Sequence, residues 1–368
     1  MRMQPLESSG GVPPSQLTTE QQAEAAELAA RVVALPHGSV LRHGWLWWIF
    51  HSFLWGVAFS LAIAALLRIF YHDGTLYLTQ LNAFTRYIYL PAYFCLAWAL
   101  WMRRWWLSLV SLAVVACHVT WMLPDFVRDR RFDVPANAIA SAADKSPTLR
   151  IFFANVLATN HDFAPLWKEI EEADPDVVVL AECSRLSKQS FRQSPPMAPY
   201  LAANGLMKSQ DGEVNIYSKL PIKAEKQQWS GGRIVQTIDI EVGSETLRLI
   251  GLHAPRPMPP PAYDYYGYWN EVVPRLTTEK GPLVIVGDFN ATEHSLVYKQ
   301  LQDSGLRSAH DDRGRGYATT WPNGQWQLPP IRIDQVFISP EVGCLDIMEG
   351  QGLGSDHKPL IVDVKLRN

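Results

Sequence analysis

Charge is scarce in this 368-residue chain: Asp, Glu, Lys and Arg make up 19% of it, and the formal net charge is −3. Soluble domains carry about 25% charged residues, so the chain as a whole does not read as an ordinary soluble protein. Cysteine is scarce too. Cys95, Cys117, Cys183 and Cys344 stand at wide, irregular spacing, which excludes a disulfide scaffold and a cysteine-based zinc site. Two of them fall in apolar stretches, so cysteine usage does not reveal the redox compartment. There is no long run of like charge, which excludes a polybasic, histone-like binder. No period of 20–50 residues is visible, which excludes a repeat array. The length itself calls for two or three modules.

What is present is unevenly spread. Through Pro124 there are 7 Lys and Arg against 5 Asp and Glu, a net of +2; from Asp125 onward there are 26 against 31, a net of −5. Nine of the fourteen Trp lie between Trp45 and Trp121. Between Arg42 and Arg68 stand 25 residues without a charge, and Trp45 to Leu67 would reach about 35 Å as a helix, enough for a ~30 Å hydrocarbon core. Trp105 to Pro124 is a second uncharged run, of 20 residues. Tyr87 to Met102 is shorter, with Arg86 and Arg103 placed to snorkel from its ends. Tyr and Trp crowd these ends as in an interfacial aromatic belt.

The expected organisation is therefore a polar tail (1–43), a transmembrane module (44–124, spans about 45–67, 84–102 and 105–124, with two spans as the alternative), a linker (125–147) and a soluble domain (148–368). Part of the tail, Thr19 to Val33, reads equally as a surface helix or a flexible segment. Arg31, Arg42, Arg103 and Arg104 argue for one orientation; Arg68, Arg86, Arg128, Arg130 and Arg131 argue for the other. The tight Arg103-Arg104 turn favours an extracytoplasmic soluble domain.

From Leu149 the pattern changes to short β-branched runs bounded by Gly, Pro, Asp or Asn: 149–156, 177–182, 213–218, 235–242, 247–253, 283–287, 333–338 and 359–364. Helices are expected at 165–173 and 293–304. Polar residues gather at the strand ends, where a rigid scaffold presents chemistry.

Asn155 ends IFFAN, where an Asn is most often a turn residue. Glu182 ends VVVLAE, and a carboxylate there calls for a cation or metal unless it meets solvent. His253 closes LRLIGLH; a lone histidine is more often structural than catalytic. In VIVGDFNAT, Gly287 permits a tight exit, and alternation places Asp288 and Asn290 on one face, able to hold a hard cation and a phosphoryl oxygen. An Asx turn is the plainer reading. RIDQVFIS puts Asp334 in a strand, and GLGSDHKPL puts Asp356 and His357 on a turn entering the last strand. A carboxylate that fixes the tautomer of a histidine is the usual setting of a general base. Singly, none of these decides. Their order, each at a strand end, is hard to obtain by chance.

With FFANV, VVVLAEC, NIYSKLPI, LIGLHAP, VIVGDFNAT, RIDQVFIS and GSDHKPL in hand, the chain resembles the endonuclease/exonuclease/phosphatase family over about Pro147 to Asn368. The family takes in pancreatic-type deoxyribonucleases, abasic-site endonucleases, sphingomyelinases and inositol polyphosphate phosphatases. HAPRPMPPP, ATTWP and the apolar spans look like a bacterial membrane-anchored subgroup. The resemblance implies a four-layer α/β sandwich, two facing sheets flanked by helices. It implies Mg²⁺, with Mn²⁺ as a substitute, held mainly by Glu182 with Asn155 and Asp356 nearby. It implies His357, oriented by Asp334, at the scissile phosphate or helping to activate water. Asp288 would position or deprotonate that water, Asn290 would stabilise the phosphoryl transition state, and His253 would assist the phosphate or leaving group. Which of Asp288 and His357 is the base stays open.

Three functions compete. The first is a membrane-tethered hydrolase of nucleic-acid phosphodiesters, the second a hydrolase of lipid or small-molecule phosphoesters, the third a noncatalytic membrane scaffold. The net −5 lacks a broad basic footprint for DNA, unless Arg185, Arg233, Arg256, Arg313, Arg315 and Arg332 cluster at the cleft. The Pro- and Tyr-rich loop Pro255–Trp269 is either a cleft wall or a packed surface loop. The expected partners are a phosphoester substrate and the bilayer of the cytoplasmic membrane, with no protein partner.

Overall fold

The computed structural model describes residues 37–127, 147–183, 185–204, 214–258 and 264–367. Most of the expected tail, the linker from 128 to 146 and the middle of the Pro-rich loop, 259–263, lie outside the described residues. A first unit ends at Val57, and its described part is helical throughout. The second unit is Ala58–Asn368.

The uncharged run folds as α1, His37–Tyr71. After Gly74, Thr75 caps the short α2, Leu76–Ala83, its Oγ1 accepting from Leu78 N at 3.3 Å. The expected middle span is broken at Tyr89 into α3, Thr85–Ile88, and α4, Leu90–Trp101, with Pro91 in the first turn of α4. Proline suits a first turn because its missing N–H would be unpaired there anyway. Twelve residues give α4 about 18 Å, too short to cross alone. The chain turns at Arg103 and returns as α5, Trp105–Phe126. Tyr93 Oη lies 3.1 Å from His118 Nδ1, and the rings of Tyr89 and Trp121 are 5.2 Å apart, so α4 and α5 form a hairpin. Among the described residues, Gly44–Tyr71 and Trp105–Phe126 are the helices long and apolar enough to cross a membrane.

The rest is the expected four-layer α/β sandwich. Its elements are β1 Thr148–Asn155, α6 Ala164–Ala173, β2 Val177–Ala181, α7 Arg185–Gln193, α8 Ala198–Asn204, β3 Val214–Ser218, β4 Ile222–Ser230, β5 Arg233–Val242 and β6 Glu245–His253. There follow α9 Tyr265–Thr278, β7 Leu283–Asp288, α10 Leu296–Asp303, β8 Arg307–Ser308, α11 Ala309–Arg313, β9 Asp334–Ile338, β10 Val342–Glu349 and β11 Leu360–Leu366.

One sheet runs β10-β11-β1-β2-β3 and the other β4-β5-β6-β7-β9-β8. Alternate side chains from both sheets, such as Phe153, Val179, Ile238, Leu249, Val286 and Val362, make the dry layer between them. The opposite faces bury Phe152 and Val178 under Trp167 and Ile170 of α6, and Ile250 and Ile285 under Tyr268, Trp269 and Leu301 of α9 and α10. Strands buried on both faces read as continuous apolar runs, which is why β2 and β7 were legible. Three strands were not expected. β4 is a largely exposed edge with the polar sequence IKAEKQQWS, β10 is bulged between Cys344 and Asp346, and β8 has two residues.

Candidate active site

Strand register builds the site. β6 and β7 are parallel neighbours with His253 opposite Asp288, and β9 runs antiparallel to β7 with Asp334 opposite Asp288. Three polar side chains thus stand in one row across three strands. Gly287 allows the row to close: a Cβ there would run into the Leu252 carbonyl oxygen and Leu252 Cδ1. From the other sheet, parallel β1 and β2 end level at Asn155 and Ala181. Glu182 follows with a left-handed φ of 55°, which turns its carboxylate off the strand. His357 enters from the turn before β11. Ser355 fixes that turn, its Oγ donating to Asn155 O at 2.7 Å and accepting from His357 N at 3.1 Å.

Six expected residues meet. Asn155 Nδ2 donates at 3.1 Å to both Glu182 Oε1 and Asp288 Oδ2. His253 Nε2 is 3.7 Å from Asp288 Oδ2 and from Glu182 Oε1, and His357 Nε2 is 3.8 Å from Asp288 Oδ2. His357 Nδ1 lies 2.9 Å from Asp334 Oδ2. Glu182 Oε2 accepts from Ala158 N at 2.9 Å.

Two others are placed differently from the expectation. β7 ends at Asp288, and Asn290 has a φ of 46°, so strand alternation does not carry through to Asn290. Its backbone N–H donates to Asp288 Oδ1 and its Nδ2 donates to Ala254 O, both at 2.9 Å. Asp356 Oδ2 accepts from Trp321 Nε1 at 3.1 Å, outside the cluster of Asp288, Asp334 and His357. Thr320 stands in the ATTWP segment without an expected role, although its Oγ1 accepts from Asp334 N at 3.1 Å. Ser355 and Thr320 position catalytic groups through single hydroxyls, and Ser and Thr are too common in turns to signal that.

Burial and crowding separate the protonation states. Burial and the nearby Arg233 hold His253 down at about 3, so it is neutral. Burial pulls His357 down as well, but Asp334 and then Asp288 overcome it and lift it to about 10, so it is a cation. Asp288 is pushed up to about 7 by burial and by the charge of Asp334. Burial would raise Glu182, but the hydrogen bonds from Ala158 N–H and Asn155 and the charge of His357 outweigh it and hold the carboxyl below its ordinary value.

The donor set fits a divalent cation. Asp288 and Asp334 each offer an oxygen within 4.8 Å of the other, and Asp334 Oδ1 is buried without a hydrogen-bond partner. Glu182 adds an ionised oxygen donor and Asn155 an amide. Crowded carboxylates that raise one another's pKa are relieved by a cation, and hard oxygen donors suit Mg²⁺-type ions.

An ionised glutamate, a carboxylate titrating near neutrality and a carboxylate-bound histidine at the ends of two facing sheets define a metal-dependent phosphoester hydrolase. The sequence model of the Endonuclease/Exonuclease/phosphatase family matches residues 152–357, and the chain belongs to that family. No curated protein matches the chain. Among solved structures, TDP2 of D. rerio complexed with a single-strand DNA product has 15% identity and a TM-score of 0.46, covering 59% of this chain and 98% of that one. An endonuclease/exonuclease/phosphatase from Beutenbergia cavernae has 16% identity and a TM-score of 0.44, covering 60% and 72%. The human Nocturnin catalytic domain with a bound sulfate has 16% identity and a TM-score of 0.43, covering 60% and 95%.

Proposed function

We propose that the chain is a membrane-anchored phosphodiesterase that uses Mg²⁺ and attacks its substrate with water. One observation carries the chemistry. The Asp288 carboxylate sits 3.1 Å from the Asn155 amide and within 3.8 Å of two imidazoles in opposite charge states. A base titrating near 7 works best at neutral pH, which supports Asp288 as the group that takes the proton of water. Cationic His357, held by Asp334, then faces the phosphoryl oxygens, and neutral His253 donates to the leaving group. Glu182 and Asn155 would hold the cation, which when bound neutralises charge on the phosphoryl and leaving oxygens. Asn290 serves by fixing the Asp288 loop to Ala254.

The charge count of the sequence favoured neither orientation, yet two of its arginines are spoken for. Arg68 is buried against Thr85 and the Trp121 ring, and Arg86 is buried against Glu293. Neither counts as a free juxtamembrane charge, while Arg103 and Arg104 are exposed at the hairpin turn. That supports an extracytoplasmic catalytic domain.

A second reading, a lipid phosphoester as substrate, is favoured by what holds the rims of the site. Gln80 of α2 donates to Pro257 O at 2.8 Å, just past His253. Asp73 accepts from Leu296 N at 2.6 Å, just past the Asp288 loop. The arginines counted for nucleic acid do not form a stripe either: Arg332 is fully buried, and Arg315 pairs with Asp346 at 3.0 Å. Purified full-length protein with Mg²⁺ should be tested on plasmid, abasic duplex, sphingomyelin, phosphoinositides and a generic diester. Cleavage of lipid but not DNA selects the second reading. Full turnover by a folded Glu182→Ala variant sinks both. Tag accessibility at each terminus tests the orientation.

A further inference from the structure

Where α5 ends against the catalytic domain, a second group of ligand-type side chains is buried. Asp125 comes from the last turn of α5; Glu293 and His294 come from the segment that follows Asp288. Their side chains are 6%, 5% and 3% exposed. His294 Nε2 is 3.6 Å from Glu293 Oε1 and 3.9 Å from Asp125 Oδ2, and one donor atom of each lies within 4.8 Å of the others.

His294 Nε2 and Asp125 Oδ2 have no hydrogen-bond partner; of the Glu293 oxygens, Oε1 accepts from Arg86 and Oε2 is without a hydrogen-bond partner. Burying such atoms unpaired costs several kcal/mol in an apolar reference, so the interior normally supplies a partner. Here the nearest charged group to Glu293 Oε2 is Arg332 Nε at 3.7 Å, beyond hydrogen-bond distance. The unpartnered atoms are two carboxylate oxygens and an imidazole nitrogen, all of which can act as lone-pair donors to a cation.

We propose that Asp125, Glu293 and His294 bind a divalent cation of the Zn²⁺ type, joining the end of the membrane helix to the active-site loop. Mixed imidazole and carboxylate donors are a zinc set, and at bonds of about 2.0–2.1 Å a tetrahedral site has donor separations near 3.3 Å. The observed 3.6 and 3.9 Å need a contraction of a few tenths of an ångström. Arg86, whose NH2 donates to Glu293 Oε1 at 2.9 Å, fixes the orientation of that carboxylate, as outer partners of metal ligands do. The site is separate from the catalytic cluster: Glu293 lies five residues past Asp288, and the group of Asp125, Glu293 and His294 has no member in common with that of Asp288, Asp334 and His357.

The test uses full-length protein in detergent, carrying Glu182→Ala so that the catalytic metal does not contribute. After chelation, Zn²⁺ loading and desalting, elemental analysis should find one retained Zn²⁺ per chain. His294→Ala, and separately the isosteric Asp125→Asn, should each lower this to well under half. Co²⁺ in place of Zn²⁺ should give visible d–d absorption of tetrahedral intensity, lost in Asp125→Asn. Circular dichroism establishes which variants are folded. No retained metal in the Glu182→Ala protein overturns the proposal, and so does stoichiometry unchanged by a folded Asp125→Asn. Neither result bears on hydrolysis at Asp288, because the background is already inactive by design.

Discussion

The imidazole Nδ1 of His357 lies 2.9 Å from Asp334 Oδ2, with the two side chains 7% and 0% exposed. Burial alone would lower the histidine's pKa, and Asp334 reverses that to about 10. The folded value stands above the ordinary 6.5, so the stabilisation is complete below about pH 6.5 and is lost as pH rises through about 10. In chelator-treated protein, His357→Asn should therefore unfold at a lower temperature than wild type at about pH 6, by the equivalent of about 3 kcal/mol. The gap should shrink steadily towards pH 10. A gap that does not change with pH would mean the pair is not ionic.

Glu182 and Asn155 predict unequal losses. Glu182 supplies the ionised oxygen, held by Ala158 N and Asn155 Nδ2. Replacing it with Ala should lower kcat by about 10³-fold or more, since metal and phosphoryl charge stabilisation go together. Asn155→Ala leaves that carboxylate in place and should weaken Mg²⁺ affinity about 10–100-fold, with activity largely restored by excess metal. Activity titrated against Mg²⁺ separates the two cases. Equal, unrescued losses would show that Asn155 acts on the substrate.

Gly287→Ala tests whether strand closeness sets the catalytic row. The added methyl meets the Leu252 carbonyl oxygen of the neighbouring strand. β6 and β7 must separate, at a cost of about 1–3 kcal/mol. His253 and Asp288 face each other one residue further on, so activity should fall by more than the fraction unfolded explains. Comparing thermal midpoint with kcat on the folded fraction checks this. Wild-type kcat in a destabilised variant would show that the row tolerates the shift.

Legibility in the sequence followed burial. β2 and β7 are apolar on both faces and end in a single polar group, so Glu182 and Asp288 stood out against their strands. β4 offered no contrast, and an edge strand needs none because solvent takes its outer face. Asn290 misled for a local reason: alternation holds only while the strand lasts, and its φ of 46° lies beyond the end of β7. The buried group at Asp125, Glu293 and Arg332 was invisible because its members are far apart in sequence and each resembles a surface charge. Asp125 in particular sits where a polar residue normally marks the end of a membrane helix, which gave no reason to look for a buried partner.

The amino-terminal helical module is predicted to be part of the catalytic fold rather than a detachable tether. Arg86 is 7% exposed, pairs with Glu293 at 2.9 Å, donates to Gly316 O and lies over the Tyr317 ring. Tyr266 Oη donates to Asp73 O at 2.8 Å, and Phe126 packs its ring 4.7 Å from that of Tyr317. Arg86→Gln removes the guanidinium hydrogen-bonded to a carboxylate only 5% exposed, and breaking a buried pair from one side costs about 3–5 kcal/mol. Lys should rescue poorly, because its single ammonium does not reach the glutamate, the carbonyl and the ring together. The fragment 147–368 loses all of these contacts at once, so it should unfold at a lower temperature than the full chain in the same detergent and digest faster with protease. If the fragment melts with the full-length protein and Arg86→Gln is neutral, the module is not part of the catalytic fold and the coupling between the amino-terminal helices and the active-site loop does not exist.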